Sequence, residues 1–323
     1  MRPIARPRAN GARRTGFRLD TTARVGWDGP VTTDTATDVF EEHRPLLLGV
    51  AYRMLGRVAD AEDVVQDAWL RWAGADRSGV REARAYLVRI TTRLAIDRLR
   101  QIKARGETYV GPWLPEPYVT AHEEAVPDTA ERAVLADSVS LAVLVVLESL
   151  SPLERAVFVL REAFGYPYAE IAALLDRGEP AVRQMAGRAR KHVDERRPRY
   201  DVDPAQRRDL TERFLNAAAE GDLEGLMALL APDVRLVGDS GGKSRAPLRE
   251  LETADKVGRF LIGAAAQTGS VSFRFLEVNG GPAVLVTDDG RPDSVLQLDV
   301  LDGRVQAVYI IRNPDKLRSV AAG

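Results

Sequence analysis

Tyrosine and arginine side chains recur along one stretch of the chain at a spacing that can bind a nucleic acid. Residues three, four and seven positions apart share one strip of a helix, and here they are Tyr86, Arg89, Arg93 and Arg100. An aromatic ring among guanidinium groups suits single-stranded DNA, because bases stack on the ring and phosphates require positive charge. Residues 77–106 carry nine basic and only two acidic side chains. The alternative is a surface helix whose arginines pair locally.

The preceding stretch has the opposite charge, and we therefore expect a different partner for it. Residues 38–76 carry eight acidic side chains and four arginines, and an acidic helix does not attract DNA. Within residues 60–72, one helical face is apolar (Val64, Ala68, Trp72), and the residues that can line another face are Asp63, Gln66, Asp67 and Leu70. The alternative is an ordinary solvated face of an amphipathic helix.

A second DNA-binding signal lies in residues 168–198. Helical spacing predicts a helix over residues 168–175, a short glycine-containing turn, and a second helix that begins near Pro180. Four polar side chains of the second helix are predicted to face outward, namely Arg183, Gln184, Arg188 and Lys191. Arginine and glutamine near the start of such a helix can contact base edges in the major groove. This pattern indicates a helix-turn-helix; the alternative is a purely structural helical hairpin.

Composition narrows the class of protein further. The chain has 323 residues, a formal net charge of -1 and no cysteine, which excludes disulfides and thiolate metal sites. Its longest apolar run is far shorter than a membrane-spanning segment. The arginine-rich N-terminus lacks the apolar stretch of a secretory signal. We therefore expect a cytoplasmic protein with no metal, no other cofactor and no membrane association.

The elements that must position these residues fall into successive blocks. We expect a disordered basic arm (residues 1–37), a helical domain (38–106), an acidic proline-rich linker (107–130), a second helical domain (131–200) and a C-terminal domain (205–318). The last block begins with two helices, and its strand-like runs are residues 234–237, 271–278, 283–287, 294–300 and 305–312. The predicted fold class is multidomain: two all-α domains followed by an α+β cone.

Four segments in this order resemble one known family. RPLLLGVAYRMLG, DAEDVVQDAWLRW, ARAYLVRITTRLAIDRLR and the helix-turn-helix are similar, over residues 38–198, to the extracytoplasmic-function (ECF) sigma factors of bacterial RNA polymerase. The resemblance implies a subunit that binds core polymerase and directs promoter-specific transcription initiation. One departure is Gly178, which stands in the turn where the family often has a serine N-cap.

The resemblance also implies roles for particular residues. The acidic helix would dock on the clamp helices of the β′ subunit through Asp60, Asp63, Gln66, Asp67 and Leu70. The basic helix and the loop before it would recognise and melt the −10 element through Arg77, Arg84, Tyr86, Arg89, Arg93 and Arg100. The helix-turn-helix would contact the −35 element through Arg183, Gln184, Arg188 and Lys191, and its domain would meet the β flap.

The C-terminal block resembles a SnoaL-like domain of the nuclear transport factor 2-like fold. Three motifs mark the subgroup of sigma factors with such a tail: WLPEP at 113–117, GDSGGK at 238–243 and NPDKL at 313–317. Ser240 replaces the glycine that is usual in the second motif. The resemblance implies that the tail regulates the sigma domains through these residues: Trp113, Leu114, Pro115, Glu116, Pro117, Asp239, Gly241, Gly242, Lys243, Asn313, Pro314, Asp315 and Lys316.

These motifs suggest a particular interdomain contact. We expect a groove beside Gly241 and Gly242 to accept Trp113 and Leu114, because burial removes apolar surface from water. Lys243 and Lys316 are then expected near the linker acid Glu116. The alternative is that the three motifs only stabilise the fold of the tail itself.

Two other functions remain open from the sequence. One is a helix-turn-helix activator with a ligand-sensing tail, whose C-terminal domain binds a small molecule. The other adds catalysis in the tail, with a carboxylate base (Asp233, Asp239 or Asp255) and Tyr309 as a hydrogen-bond donor. The three histidines of the chain, His43, His122 and His192, all lie outside that domain, and we expect no enzyme activity.

The acidic helix yields a direct test. Replacing Asp63 and Asp67 together by lysine should reverse the charge of the exposed face and reduce co-purification with core RNA polymerase. The helical content measured by circular dichroism should stay unchanged, because both positions are predicted at the surface. Co-purification equal to that of the parent chain would contradict this docking site.

Overall fold

The architecture follows from a computed structural model that describes residues 33–104, 109–122, 141–194, 204–267 and 269–321. The predicted N-terminal arm lies outside these ranges up to residue 32, and the first helix begins at Thr33 rather than at residue 38. Among the described residues, no helix is both long and apolar enough to cross a membrane. The fold class agrees with the prediction: two helical domains precede a domain that combines helices with a sheet.

The first helical domain contains α1 (Thr33–Leu55), α2 (Val58–Ala73) and α3 (Ala83–Ala104). Gly56 ends α1 with a positive φ of 67°, a conformation that glycine adopts without a steric penalty. The apolar side chains at helical spacing meet in one core, where Trp72 is 2% exposed. The Trp72 indole Nε1 donates a hydrogen bond of 2.9 Å to the carbonyl oxygen of Ala36, which fixes α2 against the start of α1.

The second helical domain contains α4 (Leu141–Leu147), α5 (Pro152–Phe158), a π-helical turn (Val159–Ala163), α6 (Tyr168–Leu175) and α7 (Glu179–Asp194). Ser151 caps the start of α5, because Ser151 and Glu154 form a reciprocal capping box. The bounds of α6 agree with the prediction. Asp176 ends α6 in the left-handed region, with φ of 52°, and α7 starts after Gly178 without a serine cap.

The two helical domains share one continuous apolar core. Arg155 of α5 is 2% exposed and donates hydrogen bonds to the carbonyl oxygens of Leu147 (2.8 Å) and Met54. The guanidinium group of Arg53 in α1 lies 4.8 Å from the ring centre of Phe164. Because a buried cation needs acceptors around it, these contacts join the two domains in a defined orientation.

The C-terminal domain is built on a seven-stranded sheet in the order β1-β4-β5-β6-β7-β2-β3. Its elements after the linker are α8 (Pro204–Glu220), α9 (Leu223–Leu229), β2 (Leu230–Asp239), β3 (Leu251–Glu252), α10 (Ala254–Ala265), β4 (Val271–Val278), β5 (Gly281–Asp288), β6 (Arg291–Leu301), β7 (Arg304–Ile311) and α11 (Arg318–Ala321). The five predicted strands are confirmed as β2 and β4–β7. Positive φ angles at Asn279-Gly280 and Asp302-Gly303 form the tight turns between β4 and β5 and between β6 and β7.

Part of the predicted linker is a strand of this sheet. Residues Val119–His122 form β1, which pairs antiparallel with β4 at its edge, and Val119 lies opposite Val278. These four residues of the predicted linker are therefore part of the C-terminal sheet. The segment that joins the two helical domains thus contributes backbone hydrogen bonds to the C-terminal sheet. The sequence of residues 107–130 did not predict this strand.

Apolar side chains cover both faces of the sheet. On one face, Val284 and Val308 pack with Phe214 of α8 and Val257 of α10. On the other face, the sheet residues form a cluster with Leu114 of the linker and Leu141 of α4. Both leucines are almost fully buried. The second face of the C-terminal sheet is therefore covered by other parts of the same chain.

Candidate nucleic-acid interface and linker site

The basic strip on α3 contacts the second helical domain. The carboxylate of Asp176 forms ion pairs with Arg89, at 3.2 Å, and with Arg93. The guanidinium group of Arg84 lies 5.5 Å from the ring centre of Tyr166, in the loop before α6. Three of the six candidate residues for the −10 element thus meet side chains of the domain that carries the helix-turn-helix.

The other three candidates lie around Trp72 or on the exposed end of α3. The Tyr86 ring is half-buried against Trp72, with ring centres 5.7 Å apart. Arg77 stacks on the same indole and donates a hydrogen bond of 3.2 Å to the Trp72 carbonyl oxygen. Arg100 is exposed and pairs with Asp97. The strip is therefore not one continuous exposed surface in this arrangement.

The acidic face on α2 is exposed, with one exception. Asp63, Gln66, Asp67 and Leu70 are exposed, and Leu70 is 61% accessible to solvent. Asp60 is buried instead and accepts hydrogen bonds from Arg98 of α3, the shorter at 2.6 Å. Asp60 lies four residues before Val64 and therefore on the apolar face of α2. This spacing could have distinguished it from the exposed residues Asp63 and Asp67. Asp60 holds α2 to α3.

The helix-turn-helix presents a basic surface on α7. Arg183, Gln184, Arg188 and Lys191 are all exposed, as predicted, while Val182, Ala186, Ala189 and Val193 are buried. Arg183 pairs with Glu179, and Arg188 pairs with Glu154 at 3.0 Å. Exposed ion pairs of this kind contribute at most about 1 kcal/mol each. Phosphate groups can replace the carboxylates at little cost.

A buried carboxylate holds the linker on the C-terminal domain. Asp239 accepts hydrogen bonds from the Leu114 backbone N–H (2.7 Å), the Tyr109 hydroxyl (2.5 Å) and the Lys316 ammonium group (2.6 Å). Lys316 also donates to the Leu114 carbonyl oxygen. Burial lowers the pKa of Lys316, and the charge of Asp239 opposes that shift. We call the contacts of residues 109–118 with the rest of the chain the linker site.

Trp113 lies between the first helical domain and the C-terminal domain. Its ring centre is 4.2 Å from the Lys316 ammonium nitrogen, which makes a cation–π contact. On the other side the ring packs on Gly56, where an added Cβ atom would lie only 2.6 Å from the ring. Gly56 is therefore needed both for its positive φ and for the approach of this indole.

The Glu116 segment completes the linker site on the first helical domain. The Glu116 carboxylate accepts a hydrogen bond of 2.9 Å from the Val58 N–H and so satisfies the start of α2, where Arg57 provides no side-chain cap. Tyr52 donates its hydroxyl to the Glu116 carbonyl oxygen at 2.7 Å and accepts from the Asn279 amide at 2.6 Å. Burial raises the pKa of Glu116, and the hydrogen bond from Val58 opposes this shift.

Two expected contacts of the GDSGGK loop were wrong. Gly241 and Gly242 pack on Tyr109 and Val110, not on Trp113 and Leu114. Within the described residues, the direct partner of Lys243 is Asp315. Lys316 lies close enough to Glu116 for the two charges to interact, as expected, but its direct ion pair is with Asp239. Asn313 donates to the Tyr109 hydroxyl at 2.8 Å. The three prolines of the motifs differ in burial: Pro115 and Pro117 in the linker are buried, whereas Pro314 is exposed.

Sequence reasoning missed four residues of the linker site. They are Tyr52, Tyr109, Val110 and Asn279, none of which belongs to the three motifs. Tyr109 could have been noticed as an aromatic residue in a stretch otherwise rich in proline and acids. Tyr52 and Asn279 lie 227 positions apart in the chain, so nothing in local spacing relates them.

The carboxylates considered for catalysis do not form a site. Asp233 and Asp255 are exposed, and Asp255 pairs with Arg259. Asp239 is engaged in the linker site, and Tyr309 is buried with its pKa raised by burial. In the part of the chain that the structure describes, no group of histidine, aspartate and glutamate side chains could hold a metal ion.

The described residues thus combine two helical domains. One has an acidic exposed face and a basic helix, and the other carries a helix-turn-helix. Family models for sigma-70 region 2 and sigma-70 region 4 match residues 39–105 and 140–193. The ECF RNA polymerase sigma factor SigJ of Mycobacterium tuberculosis (strain ATCC 25618 / H37Rv) is 42% identical over 289 residues, which cover 86% of this chain and 91% of that protein.

Two further comparisons agree. The probable ECF RNA polymerase sigma factor SigI of the same strain is 32% identical and covers 90% of this chain and 97% of its own length. The crystal structure of SigJ superposes with a TM-score of 0.71 at 38% identity, over 88% of this chain and 98% of that one. The chain therefore belongs to the ECF RNA polymerase sigma factors, which direct transcription initiation at promoters. This membership decides against the plain helix-turn-helix activator.

The buried ion pair yields a prediction about the linker. Lys316→Met leaves the Asp239 charge without its cation, and Asp239→Asn leaves the cation alone, so each should destabilise the linker site by about 3 kcal/mol. The two changes together should cost less than their sum, because neither then leaves a buried unpaired charge. Hydrogen exchange of the Leu114 amide, which donates to Asp239, measures this directly.

The matched control is Lys243→Met, which breaks an exposed pair with Asp315 on the same surface. It should leave exchange of the Leu114 amide almost unchanged. Equal protection of this amide in the parent chain and in Lys316→Met would show that the pair does not hold the linker.

Proposed function

We propose that this sigma factor is held by its own C-terminal domain in a closed arrangement that masks part of its promoter-binding surface. One observation carries the proposal: Arg89 and Arg93, the centre of the basic strip on α3, are both paired with Asp176 in the turn of the helix-turn-helix. A carboxylate in this position occupies the guanidinium groups and repels DNA phosphates. While these ion pairs persist, Arg89 and Arg93 are not free to contact an opened promoter strand.

The surfaces divide between polymerase and DNA. We assign the exposed face of α2, with Asp63, Gln66, Asp67 and Leu70, to the β′ clamp helices of core polymerase, and the second helical domain to the β flap. All four side chains are exposed, and Leu70 is 61% accessible to solvent, so this face is available to a partner. Asp60 is excluded from it, since it is buried against Arg98.

The DNA contacts follow the two basic helices. The −10 element would be melted and held by Arg77, Arg84, Tyr86, Arg89, Arg93 and Arg100. The −35 element would be bound by Arg183, Gln184, Arg188 and Lys191 in the major groove. The present partners of these arginines are exposed carboxylates or aromatic rings, which phosphates and bases can replace.

The closed arrangement is supported by burial on the second face of the C-terminal sheet. Leu141 of α4 and Leu114 of the linker both enter its second apolar cluster. Each fully buried leucine contributes roughly 1.5–3 kcal/mol. Trp113 and Glu116 extend the same contact to the first helical domain. The tail thus touches both promoter-binding domains and the segment between them.

Binding of core polymerase would oppose this closure. A protein with two arrangements shifts toward the one that its partner binds better, and a difference of a few kcal/mol is sufficient. The exposed face of α2 stays accessible in the closed arrangement, so polymerase can dock first and promoter DNA then competes with Asp176. We place this activity in the cytoplasm, together with the polymerase.

We propose no catalytic role for the tail. The carboxylate in its cavity, Asp293, is paired with Arg312, and the histidines of the chain lie outside this domain. A general base needs a free acceptor within hydrogen-bond reach of a substrate proton. Asp293 is already committed to a guanidinium group.

Substitutions in the two DNA-binding helices should affect different steps of transcription initiation. Arg183→Ala and Gln184→Ala should each weaken binding to the −35 element by about 1–3 kcal/mol, because each removes a contact to a base edge. The double variant Arg89→Ala, Arg93→Ala should instead reduce strand opening at the −10 element, measured by permanganate footprinting of the holoenzyme. Equal strand opening by this variant and by the parent chain would contradict the melting role.

Closure itself is testable by small-angle X-ray scattering. Trp113→Ala should increase the radius of gyration of the free chain, because it removes the ring that joins Gly56 to Lys316. Met227→Ala is the control, since Met227 is a large exposed side chain of the same C-terminal domain, away from the linker. A radius unchanged by Trp113→Ala would contradict the lock.

Asp176→Asn separates masking from closure. Asparagine tolerates the left-handed conformation of this turn, with φ of 52°, so the fold should persist while Arg89 and Arg93 lose their anion. Run-off transcription with core polymerase should rise for this variant. Transcription no higher than that of the parent would show that the Asp176 contacts do not limit promoter opening.

A further inference from the structure

The C-terminal domain encloses a cavity on the helical side of its sheet. The cavity has a volume of about 400 Å³ and lies between α8, α10 and the inner face of the strands. Its walls are mostly apolar, with Phe214, Phe260, Leu261, Leu296 and Ile310 among them. Pockets of this size and composition commonly hold small organic ligands.

The polar groups of the cavity are concentrated at one end. Arg245, Arg312, Asp293 and Ser294 meet there. Arg312 pairs with Asp293 through one terminal nitrogen and donates 2.8 Å to the Arg245 carbonyl oxygen through the other. Its Nε is buried and has no hydrogen-bond partner within the described residues. Nε itself has almost no accessible surface, but the Arg312 side chain is 24% accessible, and each terminal nitrogen carries a second N–H that can donate to an acceptor in the cavity.

The charge at this end favours an anion. Two guanidinium groups face one carboxylate, and Arg245 is exposed with only a neutral partner described, the Gln267 amide oxygen at 2.9 Å. The nearby acids Asp288 and Asp289 do not line the cavity and accept hydrogen bonds from the Gly269 and Ser270 N–H groups. Among the residues that line the cavity, the two arginines and the single carboxylate of Asp293 leave a net charge of +1.

We propose that this cavity binds a small organic acid with a mostly apolar body and a single carboxylate group. The apolar body lies among the phenylalanine and leucine side chains, and the carboxylate accepts hydrogen bonds from Arg245 and Arg312. Phe273, which is 42% exposed, lines the cavity and offers an aromatic surface at its edge. An aromatic or medium-chain carboxylic acid fits this combination of shape and charge.

The cavity shares a loop with the linker site. Pro247 and Ala246 line the cavity and pack against Gly238, while Leu248 contacts Gly111 of the linker. The backbone N–H of Arg312 donates a hydrogen bond of 2.6 Å to the backbone carbonyl oxygen of Asp239. An acid held by Arg312 would thus act on the residues that hold the linker. This consequence rests on the proposed regulation, whereas the binding itself does not.

Calorimetric titration of the full chain tests binding with two matched probes. They are 2-naphthoate and the neutral 2-naphthylmethanol, which have the same ring system. At neutral pH, naphthoate should bind at least about tenfold more tightly, because it makes charge-assisted hydrogen bonds that the alcohol cannot make. Equal affinity of the two probes, or no binding of naphthoate, would overturn the proposal.

Variants locate the binding to this cavity. Arg245→Gln should weaken naphthoate binding about tenfold and leave naphthylmethanol unchanged. Arg274→Gln, which removes an exposed charge on β4 outside the cavity, should alter neither. Ala264→Trp should fill the cavity and abolish binding of both probes, with Ala218→Phe as a second filling variant if the first does not fold. Naphthoate binding that survives a folded filling variant would place its site elsewhere.

A scattering measurement in the presence of naphthoate separates this proposal from the proposed regulation. Binding with an altered radius of gyration supports both. Binding at the cavity with an unaltered radius supports the ligand site and counts against its coupling to the linker. Failure of Trp113→Ala to open the chain, together with normal naphthoate binding, contradicts the closed arrangement alone.

Discussion

The C-terminal sheet carries apolar side chains on both faces, and helices α8 and α10 of its own domain cover one of them. A surface of this kind in contact with water is unfavourable in proportion to its apolar area. The second face packs on Leu114 of the linker and Leu141 of the second helical domain, together with Leu317 and Val320 at the end of its own domain. The domain therefore depends on the chain that precedes it, and the position of the helical domains follows from this cover.

The buried ion pair between Asp239 and Lys316 fixes the position of the linker on the second face of the sheet. Asp239 and Lys316 lie in the apolar interface with almost no exposure, and both bond the backbone of Leu114. A buried ion pair contributes little net stability because its desolvation is costly. It does penalise every other register of the linker, since a shift by one residue would leave both charges without their partners. The apolar contacts supply affinity, and the ion pair supplies geometry.

The contacts that mask the DNA-binding strip are of a different kind. Arg89, Arg93 and Asp176 are all substantially exposed, and such pairs are weak and screened by salt. Closure is thus stabilised at the linker site, while the arginines that would meet DNA are held only by exchangeable partners. This separation lets the protein be closed when free without a large cost for freeing the strip on a promoter.

Local pattern by itself determined much of this protein: its helical blocks, the bounds of α6, the five long strands, the capped helix at Ser151 and the exposed side chains of α7. These features depend on neighbours within a turn or a hairpin, so spacing and capping residues identify them. Tertiary structure alone decided that Tyr109 and Val110 contact the glycine loop, that Val119–His122 forms a strand, and that Asp60 faces Arg98. Asp239, Leu114 and Asn279 meet partners more than a hundred positions away. Local periodicity does not predict such contacts, because they form only when distant segments of the chain pack on the second face of the sheet.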